Sequence, residues 1–574
     1  MKYMSGHQVL EICTCMLLLS ATGFSAPSTF VATTNIQNNN QPVLLSPPNS
    51  ISLFESFISY IGLLFSRNKR FKKIYTFVDS DIESIYELNI TINETFESWL
   101  EEQKRFSFDS ILENIGGVGF KYNDVAEGAV IASPSKDHPN YYYQWTRDAA
   151  ITISSLVEFL EDNIDSIGDK NMKRVFLGIE SYIKNSYDLQ RIDNLSGKWE
   201  TLDGLGEPKF MVDSTAFNES WGRPQRDGPG LRVITLTNYI NFLLDNDFDF
   251  QTPKLKSFDF VYQEILKPDL SYIMKNWNKN GFDLWEEVDS YHLFTSLTLL
   301  KALKNGIKIS EKFNDEEFCT KLRETFIALR AFILFDSGFK SLNVPYLIET
   351  PSLLYLGKRC GLDIGSLLAT LRAHDIDDPS DIIDIPFSVE DSAVLSTLFA
   401  LVNDMKFRYP INHEDGTFSK GVALGRYPED IYDGYGLSEG NPWFIATATA
   451  SEVLFNLIYL LYKNGNDLII PKDQFFFYSS IVNLNPNMKS DEVIMPFGSE
   501  AFIKTTLSLL RYADSFLEVI HKHVAEGGHM SEQFNKYNGF MEGAEDLTWS
   551  YGSFWSAVRW RRKANQVVDL VLKS

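Results

Sequence analysis

Residues 441–464 read Asn441-Pro442-Trp443-Phe444-Ile445-Ala446-Thr447-Ala448-Thr449-Ala450-Ser451-Glu452-Val453-Leu454-Phe455-Asn456-Leu457-Ile458-Tyr459-Leu460-Leu461-Tyr462-Lys463-Asn464. Apolar residues recur there at spacings of three and four, and Asn441-Pro442 is a good start signal, so the segment predicts an α-helix. Outward from it the same pattern returns over residues 94–115, 146–163, 171–186, 228–246, 257–277, 290–309, 315–334, 364–375, 391–409, 499–524 and 546–573. That makes about a dozen helices, several opening on cap-type residues such as Asp391-Ser392 and several closing at Gly, Asn or Pro. Strand alternation is scarce. The connections alternate between short and long, and the long ones carry the Gly, Trp and acid-rich clusters. An even number of helices with chemistry on alternate loops predicts an all-α fold, a ring of paired helices with one functional face. Periodicity favours this α/α barrel over a four-helix bundle without itself closing the ring.

With 574 residues the chain exceeds a typical domain, yet one large helical barrel absorbs nearly all of it. Its 44% hydrophobic and 22% charged residues are ordinary globular composition. The net charge of -23 repels nucleic-acid phosphates and anionic lipid, so a neutral or cationic partner is expected, carbohydrate being neutral, and nucleic acid is not. Aromatics reach 14% with ten Trp, faces that suit core packing or stacking on sugar rings.

Residues 1–26 resemble a secretory signal: Met1-Lys2, an apolar stretch from Val9 to Leu19 interrupted by Glu11, then small residues, with cuts after Gly23 or Ala26 equally acceptable. Sequons at Asn89, Asn93, Asn194 and Asn218 fit passage through a glycosylating compartment. Secretion is therefore expected, with vacuolar, wall-attached or membrane-associated destinations as alternatives. Residues 27–93 form a low-complexity, propeptide-like region. It is rich in Asn, Gln, Ser, Thr and Pro up to Ser50, followed by an apolar run from Ile51 to Phe65 and a basic stretch in which Lys69-Arg70 offers a dibasic cleavage point. Residues 94–574 are expected to be the catalytic domain, with no Ser/Thr-rich linker to a further C-terminal module. Beyond the signal only Cys319 and Cys360 remain, either one bridge or two buried thiols.

Five loop clusters carry chemistry. Gly281-Phe282-Asp283-Leu284-Trp285-Glu286-Glu287-Val288 places adjacent carboxylates beside a Trp, and an apolar ring plus a second acid both favour a protonated carboxyl suited to acid catalysis. Alone, the pair reads more readily as a solvated helix start, where acids are favoured by the dipole. Ser531-Glu532-Gln533-Phe534-Asn535 offers a Glu to activate water, with Gln533 beside it to hold that water. Tyr141-Tyr142-Tyr143-Gln144-Trp145-Thr146-Arg147-Asp148 runs a stacking platform into a hydrogen-bonding fork. Trp221 to Pro229 and Gly425 to Asp430, the latter followed by Gly440-Asn441-Pro442-Trp443, repeat Trp, Arg and Asp before a helix. Core packing explains the Trp residues but not the recurrent Arg and Asp. The eight His show no metal spacing, so no metal is expected. No phosphate loop, Gly-x-Ser-x-Gly elbow or Cys and His pairing is present, and no cofactor is implied.

Taken in order, Ala132-Ser133-Pro134-Ser135, the Tyr141 and Trp221 blocks, Leu205-Gly206-Glu207-Pro208-Lys209-Phe210, the Gly281 block, Gly425 to Asp430, Asn441-Pro442-Trp443 and Ser531 to Phe534 resemble the fungal glucoamylases of glycoside hydrolase family 15. The yeast enzymes without a starch-binding module are the nearer likeness, from about Glu94 onward. The resemblance implies an (α/α)6 barrel that removes glucose from non-reducing ends of α-1,4-glucans with inversion; a monomer is expected. It implies Glu286 as general acid and Glu532 as general base, with an acidic working pH. Glu287, Tyr141, Trp145, Arg147, Asp148, Trp221, Trp285 and Arg426 are implied in substrate binding, and Asp283, Lys209, Tyr432 and Trp443 match less securely assigned pocket positions. Met211 stands where the family commonly has Asn, and Gly230 where it usually has Ala, at a small expected cost in helix propensity.

Overall fold

The computed structural model describes residues 74–76, 94–119, 121–166, 170–413, 420–484 and 489–573. The signal-like stretch, the dibasic point, the apolar run from Ile51 and two sequons, at Asn89 and Asn93, lie outside the described residues. Twelve principal helices follow in order: α1 Glu94–Glu113, α2 Thr146–Asp162, α3 Lys170–Gln190, α4 Asp227–Asp245, α5 Lys267–Asn276, α6 Leu293–Lys312, α7 Glu316–Ala331, α8 Gly365–Ala373, α9 Ser392–Arg408, α10 Phe444–Asn464, α11 Glu500–His523 and α12 Thr548–Leu572.

The even-numbered helices pack α2 on α4, α4 on α6, α6 on α8, α8 on α10, α10 on α12 and α12 back on α2, which closes an inner ring of six. Each odd-numbered helix covers this ring from outside: α1 lies on α12, α3 on α2, α5 on α4, α7 on α6, α9 on α8 and α11 on α10. The fold is an (α/α)6 barrel. Inner helices must be apolar nearly all round because both flanks and the back are covered. In α10 the most apolar stretch is 94% buried, so its length and apolarity mark a barrel core rather than a membrane span. Ion pairs fasten the layers: Arg232 on α4 grips Asp269 on α5 at 2.6 Å, and Arg561 on α12 holds Asp514 on α11 at 2.6 Å and Glu97 on α1. Gly230 has a packing reason to be Gly. A Cβ there would lie 3.0 Å from the Leu299 side chain of α6, so its absence permits the close approach of two inner helices.

Helix starts differ from the sequence expectation at two places that matter. Residues Asp289–Ser290 pair with Gly281–Phe282 as a tiny antiparallel ladder, so α6 begins at Leu293 rather than 290. Trp443 is extended and bridges Gln533, so α10 begins at Phe444 rather than 441. The short–long alternation of loops also breaks, since 465–499 is as long as the functional loops. It carries strands Leu468–Pro471 and Glu492–Met495, which form a three-stranded sheet with Ile74–Thr76. Part of the region expected to precede the domain thus contributes a strand to the unit that begins at Lys69.

Candidate active site

The loops that enter the inner helices at their N-termini converge on one cavity of about 320 Å³, lined in part by Tyr141, Trp145, Arg147, Asp148, Trp221, Trp285, Glu286, Glu287, Arg426, Tyr432, Trp443 and Glu532. Its size sits at the small end of ligand pockets, and converging N-termini favour polar and anionic groups there.

Glu286 is held on a strained turn. Its φ of 67° lies in the left-handed region that a Glu seldom adopts. The turn is fixed from behind: Asp283 Oδ1 accepts the backbone N–H groups of Glu287 and Val288, both at 2.7 Å, and buried His292 Nε2 lies within 3.0 Å of the carbonyls of Gly281 and Val288. Glu286 Oε1 accepts from Trp145 Nε1 at 2.7 Å and from Gln225 Nε2 at 2.9 Å. The Gln225 amide is itself oriented, because its oxygen accepts from Arg147, whose guanidinium also binds Asp227. This chain ties down Oε1 and leaves Oε2 without a protein hydrogen bond among the described residues, the atom available to carry a transferable proton.

Trp285 and Glu287, on either side of Glu286, line the same cavity but bond to other partners. Trp285 donates its indole N–H to Asp363 at 3.0 Å, and Glu287 is engaged by Arg426 at 2.9 Å, Arg359 at 2.7 Å and the Tyr427 hydroxyl at 2.5 Å. Burial alone would raise Glu287, but these partners outweigh it and hold its carboxyl below the usual range. Glu287 is thus an anion that anchors Arg426, which also forks onto Asp430. Behind Trp285, burial raises the carboxyls of both Asp363 and Glu349, with the charge of Asp363 adding to the rise of Glu349 and that of Asp283 to the rise of Asp363.

Glu532 faces the same cavity from the loop before α12. Burial pushes its carboxyl up to about 7, opposed by hydrogen bonds from Tyr141 and Tyr432 and by Arg426. Tyr432 donates to Oε2 at 3.2 Å, and its hydroxyl lies 3.1 Å from that of Tyr141. A carboxyl at about 7 runs against the acidic working pH expected from the sequence; the two hydroxyls and Arg426 favour its ionised form and offset only part of the effect of burial. Gly543, at φ 73°, lies directly behind; a Cβ there would come within 2.4 Å of Glu532 Oε2. Gln533 does not line the cavity, and both its amide atoms are buried without a hydrogen bond.

Arg147 Nε and Asp148 Oδ2 are buried, 3.6 Å apart, and without hydrogen bonds, as is Trp443 Nε1. A polyhydroxylated ring supplies the donors and acceptors that such groups lack. Two expected residues stand behind the wall. Lys209 Nζ sits 3.6 Å over the Trp221 ring and 4.5 Å over Trp145, where burial lowers it to about 8, and it braces both rings from outside. Asp283 works through the turn just described. Leu284, Leu547 and Trp549 line the cavity without having been singled out from the sequence; only the position of Trp549, at the head of the last helix, hinted at it.

A barrel whose pocket sets two carboxylates among Trp, Arg and Asp belongs to the carbohydrate-cleaving class. The chain is a member of Glycosyl hydrolases family 15, whose family model matches residues 106–559. It is 40% identical to a glucoamylase of Saccharomycopsis fibuligera over 84% of this chain and 92% of the relative. It is 41% identical to the intracellular sporulation-specific glucoamylase of Saccharomyces cerevisiae over 82% and 85%. Its structure resembles that of a Saccharomycopsis fibuligera glucoamylase with a TM-score of 0.78 at 38% identity, covering 86% of this chain and 99% of that one. A Hypocrea jecorina glucoamylase gives 0.71 at 30% identity, covering 81% and 72%.

Proposed function

We propose that the chain is an exo-acting glucan 1,4-α-glucosidase that releases β-D-glucose from the non-reducing ends of starch, glycogen or malto-oligosaccharides. The observation that carries the reading is the joint placement of Glu286 and Glu532 in one small cavity whose Arg147, Asp148 and Trp443 present polar atoms without hydrogen bonds among the described residues. Glu286 protonates the glycosidic oxygen from Oε2, while Oε1 stays fixed by Trp145 and Gln225. Glu532, held by Tyr432, takes a proton from the water that attacks the anomeric carbon on the opposite face. Asp148 and Arg147 grip hydroxyls of the terminal sugar, and the Trp rings stack on its faces. A cavity this small supports attack at chain ends. The test is proton NMR of glucose freshly released from maltotriose: β-glucose appearing first supports inversion, whereas α-glucose appearing first overturns it.

Residues 1–26 support entry into the secretory pathway. N-terminal sequencing of protein recovered from culture medium tests this: an intact Met1, or protein confined to cells, rejects export.

A further inference from the structure

Two sequons fall among the described residues, Asn194-Leu195-Ser196 and Asn218-Glu219-Ser220, and the fold treats them differently. Both loops hang on one buried carboxylate, Glu207, which accepts from the Ser196 hydroxyl at 2.9 Å and from Arg223 Nε at 2.7 Å. In the first loop the Asn side chain is consumed. Asn194 Nδ2 donates to the carbonyls of Ile192 at 3.1 Å and Gly204 at 3.0 Å, and its Oδ1 accepts from the backbone N–H groups of Ser196 and Gly197. Buried Gly204 closes over it: a Cβ there would lie 3.2 Å from Asn194 Nδ2. A sugar on that nitrogen would replace one hydrogen and sever one of the two carbonyl bonds. In the second loop the backbone is held and the side chain is not. Arg223, its own side chain mostly buried, donates to the carbonyls on either side of Asn218, to Phe217 at 3.0 Å and to Glu219 at 2.8 Å. Asn218, Glu219 and Ser220 are all exposed, and among the described residues Asn218 Nδ2 makes one long bond, 3.4 Å, to the Ala216 carbonyl. A fixed turn thus presents Asn218 to solvent with one amide hydrogen uncommitted.

We propose that Asn218 is a site of N-linked glycosylation and that Asn194 carries no glycan in the folded protein. The inference rests on the export reading above, because this modification takes place inside the secretory pathway. The co-reactant is an oligosaccharide carried on a lipid diphosphate. A bond forms between Asn218 Nδ2 and the anomeric carbon of the first sugar, the bond from that carbon to the diphosphate oxygen breaks, the diphosphate leaves with the electron pair, and the amide gives up one proton. Nothing is oxidised or reduced. The nitrogen keeps its other hydrogen, enough for the bond to Ala216. Motif alone ranks the two sequons equally. The fold separates them, since a chain modified at Asn194 cannot close its loop on Gly204, whereas a chain modified at Asn218 disturbs no contact. Trp221 and Gly222, within four residues of Asn218, line the catalytic cavity, so the glycan stands beside the pocket while Asn218, Glu219 and Ser220 stay out of its lining.

The experiment is translation of the full chain in the presence of endoplasmic-reticulum microsomes, with protease removing whatever stays outside the vesicles. The folded protein, selected as the fraction that remains trypsin-resistant once the vesicles are opened, is deglycosylated enzymatically in heavy-oxygen water, which turns each occupied Asn into a mass-tagged Asp for peptide mapping. Expected are the tag at Asn218, none at Asn194, and the loss of one glycan, read as one step of gel mobility, in both Asn218→Gln and Ser220→Ala. Asn194→Gln leaves that mobility as in the wild type. Protected protein without the tag at Asn218, or with one at Asn194, overturns the proposal and leaves export standing. Chain that is wholly digested outside the vesicles overturns the export reading and this modification together.

Discussion

The two ends of this barrel are built from the same residue types and do opposite work. At the N-terminal end Arg147 is paired with Asp227 and Gln225 yet leaves Nε without a hydrogen bond, 3.6 Å from Asp148, and Glu286 is left with one open oxygen. At the C-terminal end Arg559 is spent on three acids and Lys301 on Asp381. The contrast teaches that an Arg, Asp and Trp cluster marks a glucan site only where its polar atoms are left unpaired. Helix polarity sets the two ends apart: aligned N-termini favour the ionised carboxylates of the first pocket, whereas the C-termini disfavour those at the other end, where Arg and Lys side chains hold them.

The contrast breaks most visibly through the catalytic carboxylates. Glu286→Gln and Glu532→Gln are each expected to cut kcat on maltotriose by about 10²–10⁴-fold, with unchanged melting temperature by calorimetry; near-normal turnover removes the assigned role. At the other end, Arg559→Leu strands Asp162 and Glu158, and urea unfolding should show a loss of about 3 kcal/mol with kcat per folded molecule preserved. A loss of kcat there, with stability intact, would erase the division of labour.

Smaller effects sharpen it. Tyr432→Phe removes a hydrogen bond that favours ionised Glu532, so the acid limb of the kcat/KM profile is expected to move to higher pH and kcat/KM at pH below that limb to fall about tenfold, roughly 1.4 kcal/mol. An unmoved limb would mean that Glu532 does not set it. Finally, Glu532 and Glu452, each raised to about 7, sit at opposite ends, and Asp363 and Glu349 are raised behind Trp285 at the N-terminal end. Groups whose folded pKa exceeds the unfolded value bind more protons when folded, so their stabilisation is complete below about pH 4 and is lost as pH rises through neutrality. The melting temperature should therefore fall by on the order of several degrees between about pH 5 and pH 8; Glu452→Gln should remove part of that slope, and an unchanged slope would contradict it.

Much of this was legible in the chain. Each of the twelve periodic segments is a helix, and twelve of the fourteen residues singled out for the site meet at one cavity, the two others standing just behind it. The missed contributors have reasons. Leu284 and Leu547 are apolar residues in loops and carry no chemical signature. The roles of Gln225, His292 and Asp363 consist entirely in whom they touch, across 61, 11 and 78 residues of sequence respectively. Trp285 and Glu287 line the cavity beside Glu286, but their bonds to Asp363 and Arg426 join residues far apart in the chain and could not be read from the turn itself.

By itself the sequence determined the helices, their order and the loops that carry the acids, because these follow from local periodicity, turn residues and composition. Only the tertiary structure decided that the inner ring closes, which oxygen of Glu286 stays open, that Lys209 braces a wall and that Asn218 is exposed while Asn194 is tied down. Those depend on distances between groups far apart in the chain, and no local pattern encodes them.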